Sequence, residues 1–301
     1  MSRSVGTTPP ALRQLHSGAR HPGHHLVVLG ILLLMAAYFM VPLVWLLLAT
    51  TKDTYQLFHT PMFGLPHHLS LWKDLQWISS YNGGEYWRWF LNSVIYSGSV
   101  AILGSLLSAM VGYAIAKFRF PGRRLFFSTV VAALMVPGAV LVIPLFVLER
   151  SMGLLNSYGG VILPMLISPF GVYFMNVYMG DAMPNELLEA ARVDGAGDIQ
   201  TFVRIVLPVV RPGLITLFLI SFIGSWNNFF LAFVLLSKSS LYPVTLGLSI
   251  WLSNLNSPGT GVPLYPLVLL GSFLSILPML ILFPFLRRYI TIGLVQGSVK
   301  A

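Results

Sequence analysis

The densest cluster of ionisable side chains lies between residues 181 and 211, where five acids (Asp181, Glu186, Glu189, Asp194, Asp198) and three bases (Arg192, Arg204, Arg211) separate two long apolar runs. Each charge would cost about 2.5 to 3.5 kcal/mol at the centre of a bilayer, so this stretch faces water. Its chemistry is ion pairing and helix capping. Pro184 suits the first turn of a short helix that Asn185 to Glu189 continue, with acids near the positive end of the dipole. Gly195 can take the left-handed turn that stops this helix, and Asp198 is placed to cap a second one running through Phe202 into Ile205. Pro208 marks the next boundary. The expected element is a helix-turn-helix knuckle in which Ala190 and Ala191 keep one face thin enough for another surface to approach closely.

Bond-making chemistry has no foothold in the sequence. There is no Gly-x-x-x-x-Gly-Lys-Ser/Thr to cradle phosphates, no His-Glu-x-x-His and no Gly-x-Ser-x-Gly. No catalytic residue, metal or cofactor is therefore assigned. His21, His24 and His25 lack neighbouring carboxylates and read as part of a polar tail. Zero cysteines exclude disulfides and thiolate metal sites. The expected spans carry no charged residue, which argues against a proton- or ion-coupled carrier. Trp226, Asn227 and Asn228 place two amides deep in an apolar run, and either a translocation-path role or satisfaction by neighbouring helices fits them.

The elements that position these residues follow from composition. A chain of 301 residues that is 56% hydrophobic and only 9% charged, with mean hydropathy +0.79, is an integral membrane protein rather than a soluble domain. Its net charge of +9 is dispersed between apolar spans and forms no nucleic-acid patch. Six spans are expected, at Leu26–Ala49, Trp89–Ala116, Leu125–Leu148, Ser157–Met179, Pro212–Leu236 and Leu264–Leu286, the third kinked or broken around Pro137, Gly138 and Pro144 and the fourth broken by Pro164 and Pro169. Between the first two spans, Trp72, Trp77, Tyr81, Tyr86, Trp87 and Trp89 suit an interfacial belt, with sugar stacking as the alternative. Glu149, Arg150 and Gly153 form an outer turn, and another outer loop runs from about Ser237 to Pro263. With residues 1–25 and 289–301 as cytosolic tails around a permease domain at 26–288, thirteen of the eighteen Lys and Arg fall on the cytosolic side. The fold class is all-α and polytopic, with the coupling knuckle at 181–211.

The knuckle resembles the signature of permease subunits of binding-protein-dependent ABC importers: Glu189-Ala190-Ala191, three residues, Gly195, nine residues, then Ile205-x-Leu207-Pro208. Asn92-Ser93, residues 112–123, Met135-Val136-Pro137, residues 153–158, Trp226-Asn227 and the ending Gly293-Leu294 to Val299-Lys300 are similar to the carbohydrate branch, in particular the smaller permease of maltose-type systems. The resemblance implies a bacterial inner-membrane subunit that pairs with a second permease, two ATPase subunits that carry ATP and Mg, and an extracytoplasmic sugar-binding protein. It implies ATPase coupling through Glu189, Ala190, Ala191, Asp194, Gly195, Ile205, Leu207 and Pro208, and a tail contact through Gln296, Gly297 and Lys300, although Val295-Gln296 and Ala301 depart from the family's usual ending. Polyamine or glycerol-phosphate import and a non-ABC channel are the alternatives.

Overall fold

Runs of Leu, Val, Ile and Phe can hide their backbone amides from lipid only by coiling into helix, and every regular element among the described residues is helical. The computed structural model describes residues 22–255 and 264–295, with side-chain surroundings at 26–255 and 264–284. The tail positions Gln296, Gly297 and Lys300 and the side chains of the N-terminal histidines lie outside these ranges.

The chain begins with α1 (Pro22–Ala49), followed by two short helices, α2 (Thr54–His59) and α3 (Leu71–Ser80). Next, α4 (Glu85–Ser99) passes through a π-helical turn at Val100–Gly104 into α5 (Ser105–Lys117). α6 (Arg123–Ala133), α7 (Gly138–Ser151), α8 (Tyr158–Leu166) and α9 (Pro169–Ala182) lead to the knuckle, which contains α10 (Asn185–Val193), α11 (Asp198–Thr201), a second π turn at Phe202–Val206 and α12 (Leu207–Val209). α13 (Arg211–Trp226), α14 (Phe230–Leu235), α15 (Val244–Ser253) and α16 (Leu264–Val295) complete the order. Leu26–Ala49, Glu85–Lys117, Tyr158–Ala182 and Leu264–Pro284 are each long and apolar enough to cross a membrane. Two further stretches qualify only as bent pairs, α6 with α7 at 105° and Asp198–Val209 with α13 at 81°.

Several boundaries differ from expectation for identifiable reasons. The third stretch is no kinked rod: α6 stops, Pro137 is extended, and α7 departs at 105°, because proline drives its predecessor out of the helical region. Pro144 stays inside α7, and Pro164 inside α8, whose helix ends instead just before Ser168-Pro169. The fifth stretch breaks after Trp226. The 16 residues of α13 reach about 24 Å, short of a hydrocarbon core of about 30 Å, and α14 resumes beyond the break. The stretch after Ser237, expected as a loop, contains α15, and α16 runs past Arg287-Arg288 to Val295. Glu149 sits within α7 and is buried rather than in an exposed turn.

Two cores organise the bundle. The inner one packs Ala109, Tyr113, Met175, Met179, Met183, Leu188, Val206, Val210 and Leu217. It depends on close contact of α5 with α9: a Cβ on Gly112 would lie 2.8 to 3.0 Å from Met175 and the backbone of Asn176. The outer core is aromatic, built from Tyr86, Trp89, Phe222, Trp226 and Trp251 with Ile78 and Leu267. Tyr86 and Trp89 are thus core residues and not belt residues, while Trp72 is exposed as a belt residue would be. The polar atoms explain the difference, since Tyr86 Oη donates to Gly271 O and Trp89 Nε1 to Ser239 O, both at 2.9 Å.

Candidate functional site

The knuckle has the two-helix form its punctuation called for. Pro184 is extended and stands one position before α10, so its missing N–H falls where no helical bond is needed. Glu186 in the first turn and Arg192 in the last both complement the helix dipole. At the other end Gly195 has φ +78°, Ala196 N–H donates to Ala191 O (2.9 Å) and Gly195 N–H to Arg192 O (3.1 Å). This pair of bonds is a Schellman cap, and the positive φ is why glycine is needed there. Asp198 does not cap α11. Gly197 occupies that position, its carbonyl accepting from Thr201 N–H at 2.9 Å, and Asp198 is the first helical residue. Pro208 lies inside α12, and the chain turns two residues later, at Val210.

The knuckle's two sides differ in kind. Leu188 and Ala191 point inward, as do Thr201, Val206 and Val210, while Ile205 and Leu207 are half-buried. Glu189, Ala190, Asp194 and Pro208 face outward. Ala191 therefore seats the helix on its own protein, and Ala190 alone of the pair keeps the outer surface thin. Outward with Glu189 stand Leu187, Val193, Ile199 and Val203, of which Val193 and Ile199 are more than four-fifths exposed. Four branched apolar side chains on a charged loop leave area that a partner's surface would cover, about 1.5 to 3 kcal/mol for each one fully buried. Beside them Gly197, Asp198, Ile199, Gln200, Val203 and Arg204 line an open hollow of about 740 Å³.

Two charge-assisted hydrogen bonds from one cation tie the knuckle to the bundle. Lys117, the last residue of α5, donates from Nζ to Met183 O (2.6 Å) and Asn185 Oδ1 (3.0 Å), gripping the start of α10. Tyr113 and Phe118 pack with Leu188 and Phe202 in the inner core around it. Sequence reasoning counts Lys117 only as one more positive charge in a turn. Its position at a helix end, directly after an apolar run, was the available signal.

The path candidates sit at the break between α13 and α14. Trp226 is buried, stacked on Phe222 with ring centroids 5.8 Å apart and edge-on to Phe90 at 5.6 Å. Asn227 is exposed and donates from Nδ2 to Ile223 O (3.0 Å); Asn228 Oδ1 accepts from Leu231 N–H (3.2 Å). The amides thus close the end of one helix and open the next, so satisfaction by local backbone accounts for these bonds. A more connected amide went unselected: Asn92 Nδ2 donates to Ser240 O and Tyr242 O (3.0 Å each), and its Oδ1 accepts from Tyr158 Oη (2.6 Å). Asn156, at φ +56°, accepts from both Ser237 and Lys238 N–H.

Comparison with known proteins agrees with this architecture. Residues 102–291 match the family described as "Binding-protein-dependent transport system inner membrane component". The chain is 39% identical over 217 residues to the arabinooligosaccharides transport system permease protein AraQ of Halalkalibacterium halodurans, covering 72% of this chain and 75% of that protein. It is 34% identical over 227 residues (75% and 74%) to the diacetylchitobiose uptake system permease protein NgcG of Streptomyces coelicolor. Against the sn-glycerol-3-phosphate transport system permease protein UgpE of Yersinia pestis it is 30% identical over 280 residues (91% and 95%). Its fold is that of a chain in the crystal structure of a bacterial ABC transporter that imports the acidic polysaccharide alginate, with TM-score 0.77 at 24% identity, covering 88% of this chain and 94% of that one. A bundle of apolar helices with a charged, exposed knuckle, which matches these permeases across most of its length, belongs to the binding-protein-dependent transport system inner membrane component family.

Proposed function

We propose that this chain is a permease subunit of an ATP-driven importer for a sugar or oligosaccharide. It lines the path together with a second, unlike permease and is driven through the 189–208 loop by two ATPase subunits that hold ATP and Mg. An extracytoplasmic binding protein delivers the sugar. In this reading the chain crosses the bacterial inner membrane six times, with α6–α7 as the bent third span and α13–α14 as the broken fifth, and both termini are cytosolic. The observation that carries it is the knuckle itself: an exposed apolar crest and Glu189 on one side, and on the other Leu188, Ala191 and the Lys117 grip joining it to the spans. A push on the outer face is transmitted to α5 and α9 as a rigid body. Sugar as the cargo is supported by the relatives named for arabinooligosaccharides and diacetylchitobiose, which are more alike to this chain than the one named for sn-glycerol-3-phosphate.

The test uses the assembled transporter. Ala190→Cys should crosslink to a cysteine in the ATPase cleft with a nucleotide-dependent yield, and Glu189→Ala should abolish uptake while the permease still inserts. Removing one member of a hydrogen-bonded charge pair in a partly desolvated cleft costs about 2 to 5 kcal/mol. Normal uptake by Glu189→Ala together with no crosslink from Ala190→Cys would refute the coupling assignment. An uptake panel of oligosaccharides and glycerol 3-phosphate tests the cargo, and transport of the phosphate ester alone would overturn the sugar reading.

A further inference from the structure

We infer that the turn between α5 and α6 binds the headgroup of an anionic phospholipid from the leaflet on the knuckle's side, with Arg123 and Arg124 holding its phosphate. Lys117 is engaged with Met183 and Asn185, which leaves Arg119, Arg123 and Arg124 as the cations of this turn. Among the described residues none of the three has a carboxylate oxygen within 4.0 Å, and Arg123 makes only a long 3.5 Å contact from Nη1 to Phe118 O. Three arginines in one turn repel one another unless an anion sits between them.

The surroundings have the outline of a lipid. A hollow of about 360 Å³ is walled by Ile115, Arg123, Arg124, Phe127 and Asn176. A second is shaped by Arg119, Phe120, Arg123 and Arg124. Where these end, an apolar hollow of about 290 Å³ begins, lined by Met110, Val111, Ala114, Ile115, Phe120 and Phe126, and it shares Ile115 with the first and Phe120 with the second. Paired cations that open directly onto a hydrocarbon wall match a phosphate ester carrying acyl chains. Guanidinium groups grip such a phosphate through two parallel N–H···O bonds. A zwitterionic lipid would bring its own ammonium into the field of three arginines, so net negative charge is favoured. A soluble anion would leave the apolar hollow unused. Leu125 and Phe126 are exposed beside it and extend this wall as an apolar face. The inference does not depend on which solute is carried.

The assembled transporter in detergent, titrated with dioleoylphosphatidylglycerol and followed by native mass spectrometry, decides the matter. We expect one lipid held per permease above the level seen with dioleoylphosphatidylcholine. Retention should fall about tenfold in Arg123→Gln/Arg124→Gln, and by less in Arg123→Lys/Arg124→Lys, which keeps the charge needed for insertion but loses the planar fork. Ala114→Phe, which fills the apolar hollow, should reduce retention of the dioleoyl lipid but not of a dihexanoyl one. Equal retention of the two dioleoyl lipids, or unchanged retention in both arginine double variants, would overturn the proposal. So would full displacement of the dioleoyl lipid by inorganic phosphate, which would assign the cluster to a soluble anion.

Discussion

The outer and inner halves of this bundle are held together by different physics. Around Trp89 and Trp251, aromatic rings pack with their polar atoms fixed on backbone carbonyls or carboxylates: Trp89 on Ser239, Tyr96 on Leu241, Tyr86 on Gly271, Trp251 on Glu85. Each such bond is directional and fails when an element slides. Around Met175, Met179 and Met183 the buried side chains are thioether and aliphatic except for the Tyr113 ring, and Lys117 ties them to the knuckle through charge-assisted hydrogen bonds. Unbranched, polarizable side chains hold their contacts through small shifts. The half that carries the knuckle is packed to tolerate small displacements, and the aromatic half is held fixed by directional bonds.

The strongest way to break this contrast is Trp89→Ala, which empties the outer core and strands Ser239 O. About 3 to 5 kcal/mol of stability should be lost, read as a collapse of folded yield and melting temperature in detergent. Next comes Asn92→Ala, which leaves the carbonyls of Ser240 and Tyr242 unpaired and should cost about 1 to 3 kcal/mol in the same assay. Lys117→Met tests the inner tie. Thermal stability should fall by no more than about 1 to 2 kcal/mol, yet uptake per ATP hydrolysed should drop, since α10 is no longer gripped; preserved coupling would show the grip to be incidental. Met179→Leu should change stability by less than about 1.5 kcal/mol and leave uptake intact, and a larger effect would mean the inner core is as exacting as the outer one.

The smallest effect belongs to the outer rim. Asp53 caps α2 by accepting from Gln56 N–H at 2.8 Å, and this backbone bond, with help from His68 at 2.7 Å, holds its carboxyl below the ordinary value of 3.8 against the opposing effect of burial. A depressed carboxyl stabilises the fold fully above its unfolded pKa and loses that contribution as pH falls through the folded one. Amide exchange in α2 should therefore be unaffected by loss of the cap above pH 3.8 and accelerate below it, after correction for intrinsic rates.

What the sequence disclosed followed from how local each cause is. Gly195 was legible because one backbone angle demands it, and the break before α7 because Pro137 acts on its immediate neighbour. Asp198 was misplaced by one position, since Gly197 could serve the same end and only the folded turn chooses between them. Tyr86 and Trp89 read as surface aromatics because their acceptors stand about 185 and 150 residues away, on elements that no local pattern joins to them. The bonding roles of Lys117 and Asn92 were hidden for the same reason: each is defined by carbonyls contributed from distant turns.

The π turn at Val100–Gly104 gives the long second helix its phase. One extra residue within a helix rotates everything beyond it by about 100° relative to an uninterrupted α-helix. Upstream of that turn, Trp89, Asn92 and Tyr96 address the outer segment that precedes α15; downstream, Gly112, Tyr113 and Lys117 address α9 and α10. Excising a single residue such as Ala101 would conserve every side chain named here and still swing Lys117 a quarter turn off its carbonyl. In this helix, spacing is as much a part of the mechanism as chemistry, and a one-codon deletion should be less tolerable than most substitutions.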